Sequence, residues 1–214
     1  MSSDAGDVKP PTDVADETDV PAVDESEVVD REVVEPPLPA RRFAVLAVVA
    51  PLALALDIIT KTLMVANQEG KPPIRILGGL IYLDVIRNPG AAFSMATGMT
   101  WILSLIAVAV VVALVVVAPR LRSTGWAIGL GLVLAGALGN LLDRIFRSPG
   151  PLQGHVVDFV SVFGPYAQYF AVFNVADSCI CVGGALIVLM AILGRDYDGG
   201  VARRRKLAEI GKSS

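Results

Sequence analysis

Residues 173–194 read FNVADSCICVGGALIVLMAILG. At 1.5 Å per helical residue this stretch is long enough to cross a hydrocarbon layer about 30 Å thick. It nevertheless carries an acid, Asp177, in its first turns. An aspartate at the centre of a membrane helix costs roughly 2.5 to 3.5 kcal/mol, so a span that keeps one needs a compensating partner or a use for it.

The rest of the chain supports a membrane reading. Over 214 residues it is 54% hydrophobic with few charges, above the apolar fraction of about 45 to 50% usual for soluble domains even with glycine included. Three further segments have the length and apolarity of spans: 43–66, 100–118 and 126–145, with the fourth at about 172–194. The fold predicted is an all-α membrane protein, a four-transmembrane-helix bundle. Two long links, 67–99 and 146–171, alternate with the short turn PRLRSTG at 119–125. In the first link, the β-branched and aromatic run from Ile74 to Ile86 is interrupted by Gly78 and Gly79, which predicts two short strands and a turn lying on the membrane face. In the third span Gly125, Gly129, Ala135 and Gly139 have the spacing of close helix packing.

Charge sets the orientation. Arg41 and Arg42 precede the first span, Arg120 and Arg122 lie in the short turn, and Arg195 with RRRK at 203–206 follows the fourth. Four crossings put all of these on one side, so the positive-inside bias places both termini in the cytoplasm and the long links outside. The RRRK run is thereby accounted for without a nucleic-acid partner. Residues 1–40 hold twelve of the 21 acids and only two of the 18 bases, with no sustained apolar period, and are read as a disordered acidic cytoplasmic tail. They lack the basic start and cleavage pattern of a secretory signal. Residues 41–195 form the membrane domain and 196–214 a basic cytoplasmic tail.

Metal and redox chemistry find little footing. Cys179 and Cys181 are the only cysteines, and two residues apart on a helix they point about 200° away from each other. One histidine, His155, makes no metal cluster, so neither a metal nor another cofactor is expected.

The ionisable groups within or beside the spans are few. Asp57 and Lys61 are four apart, one above the other on a helix face, as a structural ion pair would be. The third span ends GALGNLLDRIF, with Asn140, Asp143 and Arg144; the arginine could neutralise Asp143 or hold substrate carbonyls. The second long link contains HVVDFVSVFG with Asp158, and the fourth span opens FNVADS with Asn174 and Asp177. Neither aspartate has a basic neighbour in sequence. Taken singly, Asp158 reads as a loop carboxylate and Asp177 as a residue favoured by the positive end of a helix. Taken together, two carboxyls in apolar surroundings can share one proton and divide into an acid and a base, able to activate a water without a metal.

Four blocks in order, DIITK at 57–61, RNPGAAFS at 87–94, GALGNLLDR at 136–144 with VVDF at 156–159, and FNVADS at 173–178, resemble those of lipoprotein signal peptidase, the signal peptidase II type. The resemblance covers about 41–195. It implies an intramembrane aspartyl endopeptidase that removes signal peptides from diacylglyceryl-modified bacterial prolipoproteins, cutting before the lipidated cysteine. Asp158 and Asp177 match the catalytic dyad. Asn88, Asn140, Arg144 and Asn174 match residues that line the site and contact substrate, Asp57 and Lys61 match a structural pair, and Asp143 matches a partner of Arg144. The resemblance also implies an extracytoplasmic β-cradle at 67–99, a site near the outer leaflet of the bacterial cytoplasmic membrane, and inhibition by globomycin-type cyclic peptides. The two terminal tails have no counterpart in the family pattern. The rival reading of the charges is a small proton-coupled carrier with Asp57, Lys61 and Asp177 as a relay. It lacks a detectable internal repeat.

Overall fold

The computed structural model describes residues 38–90 and 99–198. The tails expected at 1–40 and 196–214 fall almost wholly outside the described residues, as does the last part of the expected cradle segment. Four helices carry the architecture: α1 (Phe43–Gln68), α2 (Thr100–Val117), α3 (Thr124–Phe146) and α4 (Val175–Ile192). All four are long and apolar enough to cross a membrane, and their bounds lie within a few residues of the predicted spans.

The third helix is the centre of the bundle. In its most apolar window 61% of residues are buried, against 11 to 17% in the other three. Small residues allow this. A Cβ added at Gly183 of α4 would meet the Gly129 carbonyl of α3 at 2.6 Å, and one added at Gly136 would meet the Ala176 carbonyl at 2.3 Å. Helices α3 and α4 therefore pack backbone to backbone, which is the role expected of the small-residue stripe. The outer helices turn Leu52, Leu56, Ile59 and Leu63 of α1 and Val112, Val115 and Val116 of α2 outward, each more than half exposed. A continuous apolar surface of this kind is suited to lipid and would be an aggregation hazard in water.

At one end of the bundle the chain segments are tied together. Arg42 N–H donates to the Leu121 carbonyl at 2.7 Å, Arg122 N–H to the Tyr197 carbonyl at 2.8 Å, and Trp126 Nε1 to the Arg195 carbonyl at 2.6 Å. The start of α1, the α2–α3 turn and the end of α4 thus share one face of the bundle, as four crossings require.

The other end carries a small antiparallel sheet in the order β1 (Ile74–Ile76), β2 (Ile81–Asn88), β3 (Val156–Val162). The first two strands are the predicted pair, with Ile74 opposite Leu83 and Ile76 opposite Ile81. Their turn needs positive φ at Leu77, Gly78 and Gly79, and glycine adopts such backbone readily at two of the three. The third strand was not anticipated. The segment VVDFVSV, read as a link, pairs with β2 from Ile81 opposite Val162 to Asn88 opposite Val156. Its apolar and polar residues do not alternate cleanly because it is buried on both faces, Val156, Val157, Asp158 and Phe159 all being buried. The cradle is therefore built from both long links.

Candidate active site

Strand β3 and the start of α4 are joined by a short ladder. Val160 N–H donates to the Phe173 carbonyl at 2.8 Å and Phe173 N–H returns a bond to the Val160 carbonyl at 3.0 Å. This pairing carries residues 173–177 alongside 157–160, so the two acids meet although 19 positions separate them in the chain. Asp158 and Asp177 line one cavity of about 520 Å³, together with Asn88, Gly90, Asn140 and Arg144. Its remaining wall is largely apolar, with Phe170 to Phe173, Ile180 and Val182.

Asparagines connect the acids. Asn174 is the N-cap of α4 and forms a capping box with Asp177. Its Oδ1 accepts from Asp177 N–H at 2.9 Å, and its own N–H donates to Asp177 Oδ2 at 3.2 Å. The same side chain turns its Nδ2 toward Asp158 Oδ1 at 2.7 Å. Asn88 Nδ2 donates to Asp158 Oδ2 at 2.9 Å, and Asn140 Nδ2 donates to Asp177 Oδ1 at 2.8 Å. One fully buried residue, Asn174, thus touches both carboxyl groups. The position of Asp177 at N3 of a helix answers the cost of placing it in a span, since the capping box and helix dipole favour an acid there.

Asp158, on a strand outside the spans, is 2% exposed. Burial pushes its carboxyl up to about 7, with the nearby Asp177 charge raising it further and the Asn88 and Asn174 amides opposing. Asp177 is half-buried on the cavity wall.

Arg144 is buried beside them. Its Nη2 donates to the Gly90 carbonyl at 3.2 Å and its Nη1 reaches the Asn140 carbonyl at 3.4 Å, while Nε has no hydrogen-bond partner among the described residues. Among the described residues no ion pair or hydrogen bond joins the side chains of Asp143 and Arg144, the pairing expected from their adjacency. Neighbours on a helix point about 100° apart, and Asp143 faces Lys61 at 3.0 Å, Arg147, and Val157 N–H at 3.1 Å instead. Asp57 and Lys61 do pair, at 2.8 Å, and both are 1% exposed. Sequence reasoning missed Gly90 and Ser178 on the cavity wall. It also missed Asp84, whose carboxylate accepts from Tyr166 N–H at 2.6 Å and ties the second long link to β2. No sequence pattern marks a carbonyl or a link residue for such a place.

Cys179 and Cys181 are free thiols. Among the described residues no three His, Cys, Asp or Glu side chains converge to hold a metal ion.

Comparison with known proteins follows the same lines. The family model described as Signal peptidase (SPase) II matches residues 49–193. The chain belongs to the signal peptidase II family. Lipoprotein signal peptidase of Rhodococcus jostii is 54% identical over 77% of this chain and 81% of its own length. That of Mycobacterium avium is 51% identical over 78% and 89%. A solved bacterial membrane enzyme, determined by the in meso method at 1.9 Å, superposes with a TM-score of 0.61 at 25% identity, covering 73% of this chain and 97% of that one. A second, at 2.3 Å, gives a TM-score of 0.64 at 24% identity over 73% and 93%, a likeness of fold. The chain is thus a peptidase with bacterial relatives, four helices long and apolar enough to cross a membrane, and a small sheet.

Proposed function

We propose that this signal peptidase is an aspartic endopeptidase, with Asp158 and Asp177 as the reacting pair, that removes signal peptides from diacylglyceryl-modified prolipoproteins before the lipidated cysteine. The observation that carries the reading is that these two carboxyls line one cavity and accept from a single buried asparagine, Asp158 from its side-chain amide and Asp177 from its backbone N–H. Family membership and the relatives named for lipoprotein processing support the substrate class.

With its carboxyl held up to about 7, Asp158 carries the proton of the pair near neutrality and Asp177 acts as base. Asp177 takes a proton from a water as the water oxygen attacks the scissile carbonyl carbon. Asp158 gives its proton to the carbonyl oxygen, leaving a neutral tetrahedral diol. Collapse breaks the carbon–nitrogen bond. The proton on Asp177 passes to the leaving amine and a diol proton returns to Asp158. The products are the signal peptide carboxylic acid and the amino group of the lipidated cysteine. In this reading Arg144, whose Nε has no hydrogen-bond partner among the described residues, holds substrate carbonyls, while the Asn140 amide beside it donates to Asp177. The apolar wall of Phe170, Val172 and Ile180 suits the signal helix. Because the substrate is anchored in lipid by its diacylglycerol, the membrane itself supplies much of the positioning.

In this reading the arginine-bearing end of the bundle is cytoplasmic, and the sheet and cavity lie at the outer leaflet. A globomycin-type cyclic peptide would compete for the same cavity. The test is cleavage of a purified lipidated prolipoprotein in detergent, followed by mass spectrometry. Asp158→Asn and Asp177→Asn are each expected to abolish cleavage while remaining folded. Full activity in either rejects the pair.

A further inference from the structure

Lys61 is the part of the buried network that the proposed chemistry leaves unused. Its ammonium forms ion pairs with Asp57 Oδ2 at 2.8 Å and Asp143 Oδ2 at 3.0 Å and donates a hydrogen bond to Asn140 Oδ1 at 3.1 Å, contacts that span two helices. A structural pair along α1 needs only the first of these.

The other contacts lead to the cavity. Lysine offers three donors and no acceptor, so the atom that Asn140 turns toward it is the oxygen. Asn174 Nδ2 donates to the same oxygen at 3.2 Å, and between them these two donors leave the amide nitrogen turned toward Asp177 Oδ1, 2.8 Å away. The two carboxylates beside Lys61 also reach the backbone next to each acid. Asp143 Oδ2 accepts from the N–H of Val157, the residue before Asp158, at 3.1 Å. Asp57 Oδ1 accepts from the N–H of Ala176, the residue before Asp177, at 2.8 Å. These bonds hold the frame within which the Asn140 amide is oriented.

We propose that Lys61 is a positioning residue for the reaction: by requiring an acceptor, it keeps the Asn140 amide turned with its nitrogen to Asp177. The proposal rests on the reading of Asp177 as part of the reacting pair. Without the ammonium the Asn140 oxygen keeps only the longer bond from Asn174, and a rotation of the amide by 180° sets oxygen against the Asp177 carboxyl and removes a donor from it. A group held in the wrong orientation costs rate at the reacting centre with little effect on remote substrate binding.

The test uses the full chain and a lipidated prolipoprotein. Lys61→Met leaves two buried carboxylates short of a cation and can fail to fold. A charge-balanced variant, Lys61→Met with Asp57→Asn, keeps an oxygen at position 57 to accept from Ala176. In the folded variant kcat is expected to fall by about tenfold or more with KM changed by less than roughly twofold. Against an Asn140→Ala background the same pair of changes should cost less than about threefold, because the amide through which Lys61 acts is gone. Unchanged kcat per folded molecule, or losses that multiply across the two backgrounds, overturns the proposal. A second measurement needs no variant. The Asn140 side-chain amide protons of the unsubstituted protein, followed by NMR, should exchange slowly with solvent and show one orientation; fast rotation overturns it. That signal also separates this proposal from the proposed function, because an absence of cleavage by the unsubstituted protein defeats the function and leaves the amide reading to stand or fall alone.

Discussion

Replacing Asp158 by asparagine should make the protein more stable at pH 8 and not at pH 4. The carboxyl is 2% exposed, and burial pushes it from an ordinary 3.8 up to about 7. At 1.36 kcal/mol per unit, that rise means ionised Asp158 lowers folding stability by about 4 kcal/mol. The sign follows from proton uptake. Below about 3.8 the group is neutral in folded and unfolded chains alike and contributes nothing. Between about 3.8 and 7 the unfolded chain ionises while the folded one keeps its proton, so stability falls as pH rises. Above about 7 the loss is complete. Asparagine removes the charge, yet it supplies one acceptor where the Asn88 and Asn174 amides require two, which costs about 1 kcal/mol. The expected net is a gain of about 1 to 3 kcal/mol at pH 8 and a loss of about 1 kcal/mol at pH 4. Thermal unfolding in one detergent at both pH values measures it. A variant that is less stable than the parent at pH 8 by as much as at pH 4 refutes the electrostatic account of this carboxyl.

The remaining predictions concern rate, packing and the cap. Cleavage should be lost as Asp158 ionises, kcat/KM falling toward tenfold per pH unit above about 7; a kcat/KM profile flat from pH 6 to 9 contradicts a proton donor at that position. Gly136→Ala places a methyl 2.3 Å from the Ala176 carbonyl, so it should separate α3 from α4 and destabilise by about 1 to 3 kcal/mol, read as a drop in melting temperature. Asn174→Ala removes the N-cap and the bridge between the acids, and should cost about 1 to 2 kcal/mol of stability together with most of kcat, measured by melting and by steady-state cleavage. Arg144→Lys loses the fork that spans the Gly90 and Asn140 carbonyls and should raise KM for the lipidated substrate about tenfold, since lysine presents a point charge where the arginine presents a planar fork.

Much of this was legible from residue order. Apolar length marked the four helices, and the arginines at one end agreed with the segments that the backbone brings together there. Asp57 and Lys61, four apart, paired as helix geometry requires. Long-range partners were harder to read. The strand over Val156–Val162 lacks alternation because both faces are buried, so no period distinguished it from a link. Asp143 looked like a partner for Arg144 because they are adjacent, yet adjacency on a helix separates side chains, and its ion-pair and hydrogen-bond partners come from α1, β3 and Arg147 at the C-cap of α3. The asparagines were marked by the motif blocks and not by charge or period, and the contact of Asn174 with both acids depends on the pairing of Val160 with Phe173.

The most direct measurement of the central claim is cleavage of a lipidated prolipoprotein in water enriched in oxygen-18, with the released signal peptide weighed by mass spectrometry. Attack by a water held between Asp158 and Asp177 predicts one heavy oxygen in the new C-terminal carboxylate from the parent protein, and no released peptide from Asp158→Asn or Asp177→Asn. Labelled peptide released at the parent rate by either variant would contradict the account.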